Sequence, residues 1–159
     1  MRSISILLAT LFLFQACGFD KLKDDIIVDF YITNETTSPV RFEMQYYANA
    51  SSKLPSTIVF NINNGDKVAL FNGLQWQSDT VTNDEIFSFS IIRDVRDDSY
   101  AKVFDQNGDL IAHWVPNNNN LNSFYIQSNW QLEETVSGDK IYKVWSYRLT
   151  PNVIGLSEQ

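Results

Sequence analysis

Apolar and polar residues alternate over most of the chain, in short segments that end in turn residues. The segments with this pattern are 26–32, 40–46, 58–62, 68–70, 87–91, 100–105, 110–115, 123–133 and 140–149. A period of two residues is that of a strand with one buried face. Short strands that are separated by turn signals about every eight to twelve residues are typical of β-sandwiches and barrels.

We therefore predict an all-β fold, a single antiparallel β-sandwich (Ig-like or related) of eight or nine strands over residues 26–149. No helical period extends beyond one turn after Cys17. Asn64-Gly65 and the residues 106–109, QNGD, favour hairpin turns. We interpret the first four strands as a β-meander and residues 150–159 as a frayed C-terminal tail.

The first 16 residues have the three parts of a secretory signal peptide. Arg2 supplies positive charge, residues 6–14 are apolar apart from Thr10, and Ala16 is a small residue before Cys17. The apolar run is too short to cross a bilayer, which takes roughly 20 residues. We expect residues 1–16 to be removed, which leaves enough chain for one domain.

Cys17 is the only cysteine of the chain, so it has no intramolecular disulfide partner. Residues 14–17, FQAC, resemble the lipobox of bacterial lipoproteins, although the commonest lipobox has Leu and a small residue where this chain has Phe14 and Gln15. The resemblance implies that Cys17 carries palmitate or similar acyl chains and anchors the protein in a membrane. The alternative is a secreted protein with an unmodified cysteine.

The residues that follow Cys17 fit a lipid anchor. Residues 17–25 are charged and have no apolar period, as in a solvated tether. Lys23-Asp24-Asp25 resembles the signal that exports some Bacteroidota lipoproteins to the cell surface. The expected location is therefore the bacterial outer membrane, with the protein anchored by lipid. If Lys23-Asp24-Asp25 is an export signal, the protein is exposed at the surface. The alternative is a solvated charge cluster, which does not distinguish the surface from the periplasmic face.

The mature chain resembles the small, uncharacterised lipoproteins of Bacteroidota. The resemblance rests on the lipidated start, a first turn with the residues NET at 34–36, strands of the YxI and FxI type, and a hairpin that ends in tryptophan at 110–114. It implies a location and a β-sandwich fold. It transfers no site residues, because that group has no general assigned activity.

Net charge excludes one class of partner. The predicted signal peptide contains one of the 12 basic residues and none of the 19 acidic ones, so the mature chain is more acidic than the formal net charge of −7 for the whole chain. An acidic surface repels a phosphate backbone, and no basic stripe offsets this repulsion. We predict no nucleic acid partner, and a glycan or an envelope protein instead.

Trp76 is the main candidate for ligand binding. It lies in residues 72–84, which lose the alternation and read as a polar loop. An aromatic side chain there can stack on a sugar or contact a protein partner, or it can fold back over one end of the core. Residues 94–99 and 116–122 are two further polar loops that we expect to contribute to binding if they cluster with it.

The sequence offers little for catalysis or for a cofactor. His113 is the only histidine, and zinc sites use three or four His, Cys or carboxylate ligands, so we predict no metal and no cofactor. We therefore predict a non-enzymatic binding or interaction module at the cell envelope. The alternative is a carbohydrate-active enzyme with paired loop carboxylates. The candidate acids are Asp79, Asp84, Glu85, Asp94, Asp97 and Asp98.

Overall fold

The computed structural model describes residues 25–47, 51–77, 81–92, 95–117 and 120–155. The predicted signal peptide 1–16, Cys17 and the tether up to residue 24 lie outside these residues. Two four-stranded sheets pack against each other, which confirms the prediction of a mainly β, sandwich-like fold. Across the first sheet the strands follow the order Lys67–Gln77, Asp25–Asn34, Lys140–Leu149 and Trp130–Ser137. Across the second sheet they follow the order Ser56–Ile62, Val40–Tyr46, Tyr100–Phe104 and Leu110–Trp114.

The strands of the described residues are β1 (Asp25–Asn34), β2 (Val40–Tyr46), β3 (Ser56–Ile62), β4 (Lys67–Gln77), β5 (Tyr100–Phe104), β6 (Leu110–Trp114), β7 (Trp130–Ser137) and β8 (Lys140–Leu149). The helical elements of the described residues are α1 (Asn83–Phe87), a π-helical turn (Ser88–Ile92) and a 3₁₀ turn (Gln127–Asn129). We call residues 83–92 the helical segment. None of the helices among these residues has the length and apolar composition that a membrane crossing requires.

The topology corrects two predictions. β1 and β8 are parallel, while the other strand pairs among the described residues are antiparallel, so the sandwich is not purely antiparallel. The first four strands are not a meander either, because β1 and β4 belong to one sheet and β2 and β3 to the other. Turn residues cannot distinguish a hairpin from a crossover between sheets, since both reverse the chain.

A buried polar side chain joins the crossover from β1 to β2 with the crossover from β3 to β4. Asn34 Nδ2 donates to the backbone oxygens of Ser38 (2.9 Å) and Ile62 (3.0 Å). Its Oδ1 accepts from the backbone N–H of Thr36 (3.0 Å) and from the Thr36 hydroxyl (2.7 Å). Asn34 is completely buried, and each polar atom of its side chain is paired. Buried hydrogen bonds therefore hold this corner of the sandwich together.

β4 corrects the predicted loop at 72–84. The strand continues to Gln77, and Trp76 lies opposite Ile26 of β1. Between Phe71 and Leu74 the register shifts, and Gly73 adopts a φ of 68° there. Such a bulge adds a residue to one strand and changes which face its side chains occupy. The alternation is therefore interrupted while the strand continues, which explains why the pattern indicated a loop.

The segment 87–91 is helical, where its alternation predicted a strand. Thr82 and Glu85 form a capping box: the Glu85 N–H donates to Thr82 Oγ1 (3.2 Å), and the Thr82 N–H donates to Glu85 Oε2 (2.8 Å). Ile86, Phe87 and Ile91 are buried, whereas Phe89 is exposed. The alternate spacing of Phe87, Phe89 and Ile91 fits a strand, but the capping box stabilises a helix start just before these residues.

The chain also departs from the predicted strand at 123–133, because β7 begins only at Trp130. Side-chain bonds hold the preceding residues in turns: Trp130 Nε1 donates to the oxygen of Phe124 (2.8 Å), and Asn129 Nδ2 donates to that of Leu121 (2.7 Å). Towards the C-terminus, residues 151–155 form turns and Ile154 is buried. The predicted frayed tail is thus part of the fold as far as Gly155.

An aromatic cluster forms the core between the sheets. Phe124 lies at its centre, is completely buried, and contacts rings from both sheets. These rings are Phe42, Trp114, Trp130 and Tyr147, at centroid distances of 5.0 to 6.5 Å. Phe30 continues the cluster along β1 by stacking on Trp145 (6.1 Å, 9°).

Candidate functional site

The strand β4, the strand β2 and the helical segment enclose a cleft, which we call the Trp76 cleft. Its volume is about 260 Å³. The cleft is lined by Met44, Tyr46, Phe71, Leu74, Gln75, Trp76, Phe89, Ser90, Ile91 and Val95. A cavity of about 150 Å³ can hold a benzene molecule, so the Trp76 cleft is large enough for one aromatic or branched apolar group.

The bulge in β4 creates one wall of the cleft. Because the register shifts around Gly73, Phe71, Leu74 and Trp76 lie opposite buried residues of β1. The Gly73 N–H donates to Asp29 Oδ1 (2.7 Å) and ties the bulge to the neighbouring strand. Bulges commonly redirect side chains at binding sites, and here the bulge places three apolar side chains along one surface.

Aromatic contacts connect the cleft to the core. Phe71 packs edge-on against Phe30 in the core and against Tyr46 on the cleft side, both at 6.4 Å. Trp76 and Phe89 form the outer contact, with their rings 4.8 Å apart at 81°. The half-buried indole of Trp76 is therefore held by the helical segment, and its orientation is set before any ligand binds.

Two polar groups of the lining can bond to a ligand, the side chains of Gln75 and Ser90. The Ser90 hydroxyl is buried and has no hydrogen-bond partner among the described residues. A buried hydroxyl without a partner costs about 1–3 kcal/mol, so a ligand that supplies an acceptor or donor gains from reaching it.

The structure brings together parts of two of the three predicted loops. Trp76, from the predicted loop 72–84, and Val95, from the predicted loop 94–99, both line the Trp76 cleft. Asn120 and Asn122, from the third loop, line a different hollow of about 300 Å³ beside β6 and Ile154. The described residues of the three loops therefore do not line one common cavity.

Three of the six candidate carboxylates have structural contacts in the described residues. Asp84 accepts from Gln127 Nε2 (2.9 Å), Glu85 belongs to the capping box, and Asp98 accepts from the Tyr47 hydroxyl (2.5 Å). The bond to Asp98 raises the pKa of Tyr47. Asp97 is exposed, and Asp79 and Asp94 lie outside the described residues.

His113 lies on β6 and faces outward, next to the buried Trp114. Burial, followed by the charge of Lys102 on β5, lowers the pKa of His113. Within the described residues, no group of three or more His, Cys, Asp or Glu side chains is placed to hold a metal ion.

The sequence predicts Trp76 as a candidate for ligand binding, but the alternation gives no indication of Phe89, the ring that Trp76 contacts. Phe89 was interpreted as a strand residue, whereas it lies on the helical segment and forms the opposite side of the cleft. The signal that could have located it is the sequence Thr82-x-x-Glu85 ahead of an apolar run, which marks a helix start.

No protein-family model matches the chain, and neither a curated protein nor a solved structure matches it.

Proposed function

We propose that this protein is a non-enzymatic cell-envelope lipoprotein that binds a partner through the Trp76 cleft. In this proposal residues 1–16 are a cleaved signal peptide, Cys17 is acylated in the outer membrane, and residues 17–25 are the tether. Residues 26–149 are then an Ig-like or related β-sandwich of eight or nine strands. The sequence before Cys17 supports the anchor, and the cleft supports the binding function.

The observation that carries the binding function is a preformed apolar cleft at the edge of the core, which contributes Met44 and Ile91 to its lining. Its lining is aromatic and aliphatic apart from Gln75 and Ser90, and Trp76 is held in place by Phe89. Ligand sites combine such a lining with a few polar groups that fix orientation. An apolar side chain of an envelope protein fits this lining better than a glycan, whose hydroxyl groups each need a hydrogen-bond partner.

Site-specific photo-crosslinking in the native host tests this proposal. A photoreactive amino acid at Gln75, which lies on the cleft wall, should give a discrete protein adduct. The same group at Val59, which is exposed on the outer face of β3, should not. Leu74→Gln should reduce the adduct because it puts an amide into the apolar lining. Equal adducts from both positions would contradict a specific cleft.

Two other experiments test the alternative functions. A glycan array with binding that is lost in Trp76→Ala would assign a glycan as the ligand. Turnover of an envelope polysaccharide that is abolished by Asp84→Asn or Asp98→Asn would assign a carbohydrate-active enzyme. Labelling with a radioactive fatty acid tests the anchor separately, since wild type should take up label and Cys17→Ser should not.

A further inference from the structure

The chain enters the sandwich beside an exposed apolar surface. β1 begins at Asp25, opposite Gln77, and the next pair along the sheet is Ile26 and Trp76. Trp76 therefore lies at the end of the first sheet where the chain comes from Cys17. The helical segment covers this same end, through the contact of Phe89 with Trp76.

This surface consists of the exposed Phe89 and Ile92 with the half-buried Trp76 and Val81, and we call it the Phe89 face. These residues line one shallow, mainly apolar depression. The side chains of Phe89 and Ile92 are 48% and 40% exposed, although neighbouring Ile91 is buried. The helical segment thus has apolar residues on its outer side as well as its inner side. Contiguous exposed apolar residues mark an interaction surface.

We infer that the Phe89 face rests on the lipid bilayer in which the protein is anchored, and this inference depends on the proposed acylation of Cys17. Cys17 precedes Asp25 by eight residues. Eight residues span at most about 29 Å even when fully extended, so the anchor keeps this end of the sandwich near the membrane. Aromatic side chains such as Trp76 are favoured at the boundary between water and lipid.

The charges around the Phe89 face determine which lipids it fits. Glu85 borders the face, and Asp84 is exposed beside it. These carboxylates oppose attraction to anionic lipids, so the contact depends on apolar burial and suits a zwitterionic surface. In this orientation the Trp76 cleft, which shares Trp76 and Phe89 with the face, lies at the membrane surface. A partner held at the same surface can reach it.

The tryptophan fluorescence of the lipidated protein provides the test. Trp114, Trp130 and Trp145 are 1%, 5% and 3% exposed, so Trp76 is the tryptophan of the described residues that lipid can reach. The protein is reconstituted into phosphatidylcholine vesicles with and without brominated acyl chains. The difference between wild type and Trp76→Phe isolates the Trp76 emission. We expect brominated lipid to quench this emission severalfold. Aqueous acrylamide should quench it less in the presence of vesicles than in solution without vesicles.

A matched pair of variants tests the location of the contact. Phe89→Ser combined with Ile92→Ser should abolish the quenching by brominated lipid. Val59→Ser should leave it unchanged, because Val59 is 49% exposed, like Phe89, but lies on β3 of the other sheet. Trp76 emission that brominated lipid does not quench would overturn the inference, whether or not acrylamide reaches the indole.

Failure of the anchor and failure of the docking face are distinguishable. Mass spectrometry of the N-terminal peptide shows whether Cys17 is acylated. Acylated protein without quenching leaves the anchor standing and refutes the docking face. If Cys17 is unmodified, the proposed anchor fails, and quenching on addition of the same vesicles to the free protein decides the docking face by itself.

Discussion

The two ends of the first sheet differ in what their side chains do. At the end where β1 finishes, Asn34 is completely buried with its polar atoms paired, and the nearby Tyr147 ring belongs to the Phe124 cluster. At the end where β1 begins, Phe89 and Ile92 are exposed and Trp76 borders a cleft. The first end resembles a packed interior, which holds the fold, and the second leaves apolar surface for a partner.

The largest expected effect contrasts two phenylalanines. Phe124→Ala should lower the free energy of unfolding by about 4 kcal/mol, because a completely buried ring leaves a cavity among five aromatic neighbours. Phe89→Ala should lower it by less than about 1 kcal/mol, because that ring is half exposed. Urea denaturation of both variants measures the difference. Similar losses would show that the Phe89 end is also part of the stabilising core.

The Asn34 corner should give the next largest effect. Asn34→Ala leaves the backbone oxygens of Ser38 and Ile62 and the donors of Thr36 without their partner, so we expect a loss of about 3 kcal/mol in the free energy of unfolding. Asn34→Asp is the control, since it keeps the acceptor for Thr36 and loses both donated bonds. It should also destabilise the fold. Wild-type stability in either variant would contradict the proposed role of this corner.

The same two ends explain how far the sequence could predict the structure. The strands at 40–46 and 140–149 were predicted with the bounds that are observed, because nothing interrupts their alternation. The hairpin of β5 and β6 was also predicted, since Asp105 accepts from the N–H groups of Asn107 (2.8 Å) and Asp109 (2.9 Å) in its turn. Local pattern and turn chemistry were sufficient in these places.

The site end was harder to predict because distant contacts decide its structure. The bulge at Gly73 depends on pairing with Asp29 of β1, and the sequence contains no pattern for that pairing. The parallel contact of β1 with β8 joins strands more than a hundred residues apart. Trp76 could be identified by its residue type, whereas its contact with Phe89 required the helical segment to be recognised.

A smaller effect is expected at Lys143, which joins the helical segment to the first sheet. Its ammonium donates to Asn83 Oδ1 (2.6 Å) and lies 3.2 Å from Glu134 Oε2, with the side chain 10% exposed. Lys143→Met keeps the packed stem and loses both polar contacts, so we expect a loss of about 1–2 kcal/mol in the free energy of unfolding. The Glu134 carboxylate is 46% exposed and remains hydrated.

Glu134→Gln is the variant to compare with Lys143→Met. It removes the exposed partner and keeps the bond to Asn83, so it should cost clearly less than Lys143→Met in the same denaturation experiment. A greater loss from Glu134→Gln would mean that the ion pair, and not the bond to the helical segment, stabilises this contact.

The smallest expected effect is the acid sensitivity of the helical segment. The backbone N–H of Thr82, followed by its hydroxyl, lowers the pKa of Glu85 below the usual 4.5. A lowered pKa in the folded state means that the carboxylate stabilises the fold above the unfolded pKa. This contribution is lost as the pH falls through the lower, folded value. The Ile86 amide hydrogen should therefore lose protection from exchange below about pH 4.5, when exchange is measured from pH 6 to pH 3 and corrected for intrinsic rates.

Glu85→Gln should flatten this pH dependence. Glu133→Gln removes an exposed carboxylate from β7 and should leave it unchanged, because Glu133 does not cap the helix. A pH dependence that persists in Glu85→Gln would show that another group controls the opening of the segment that carries Phe89.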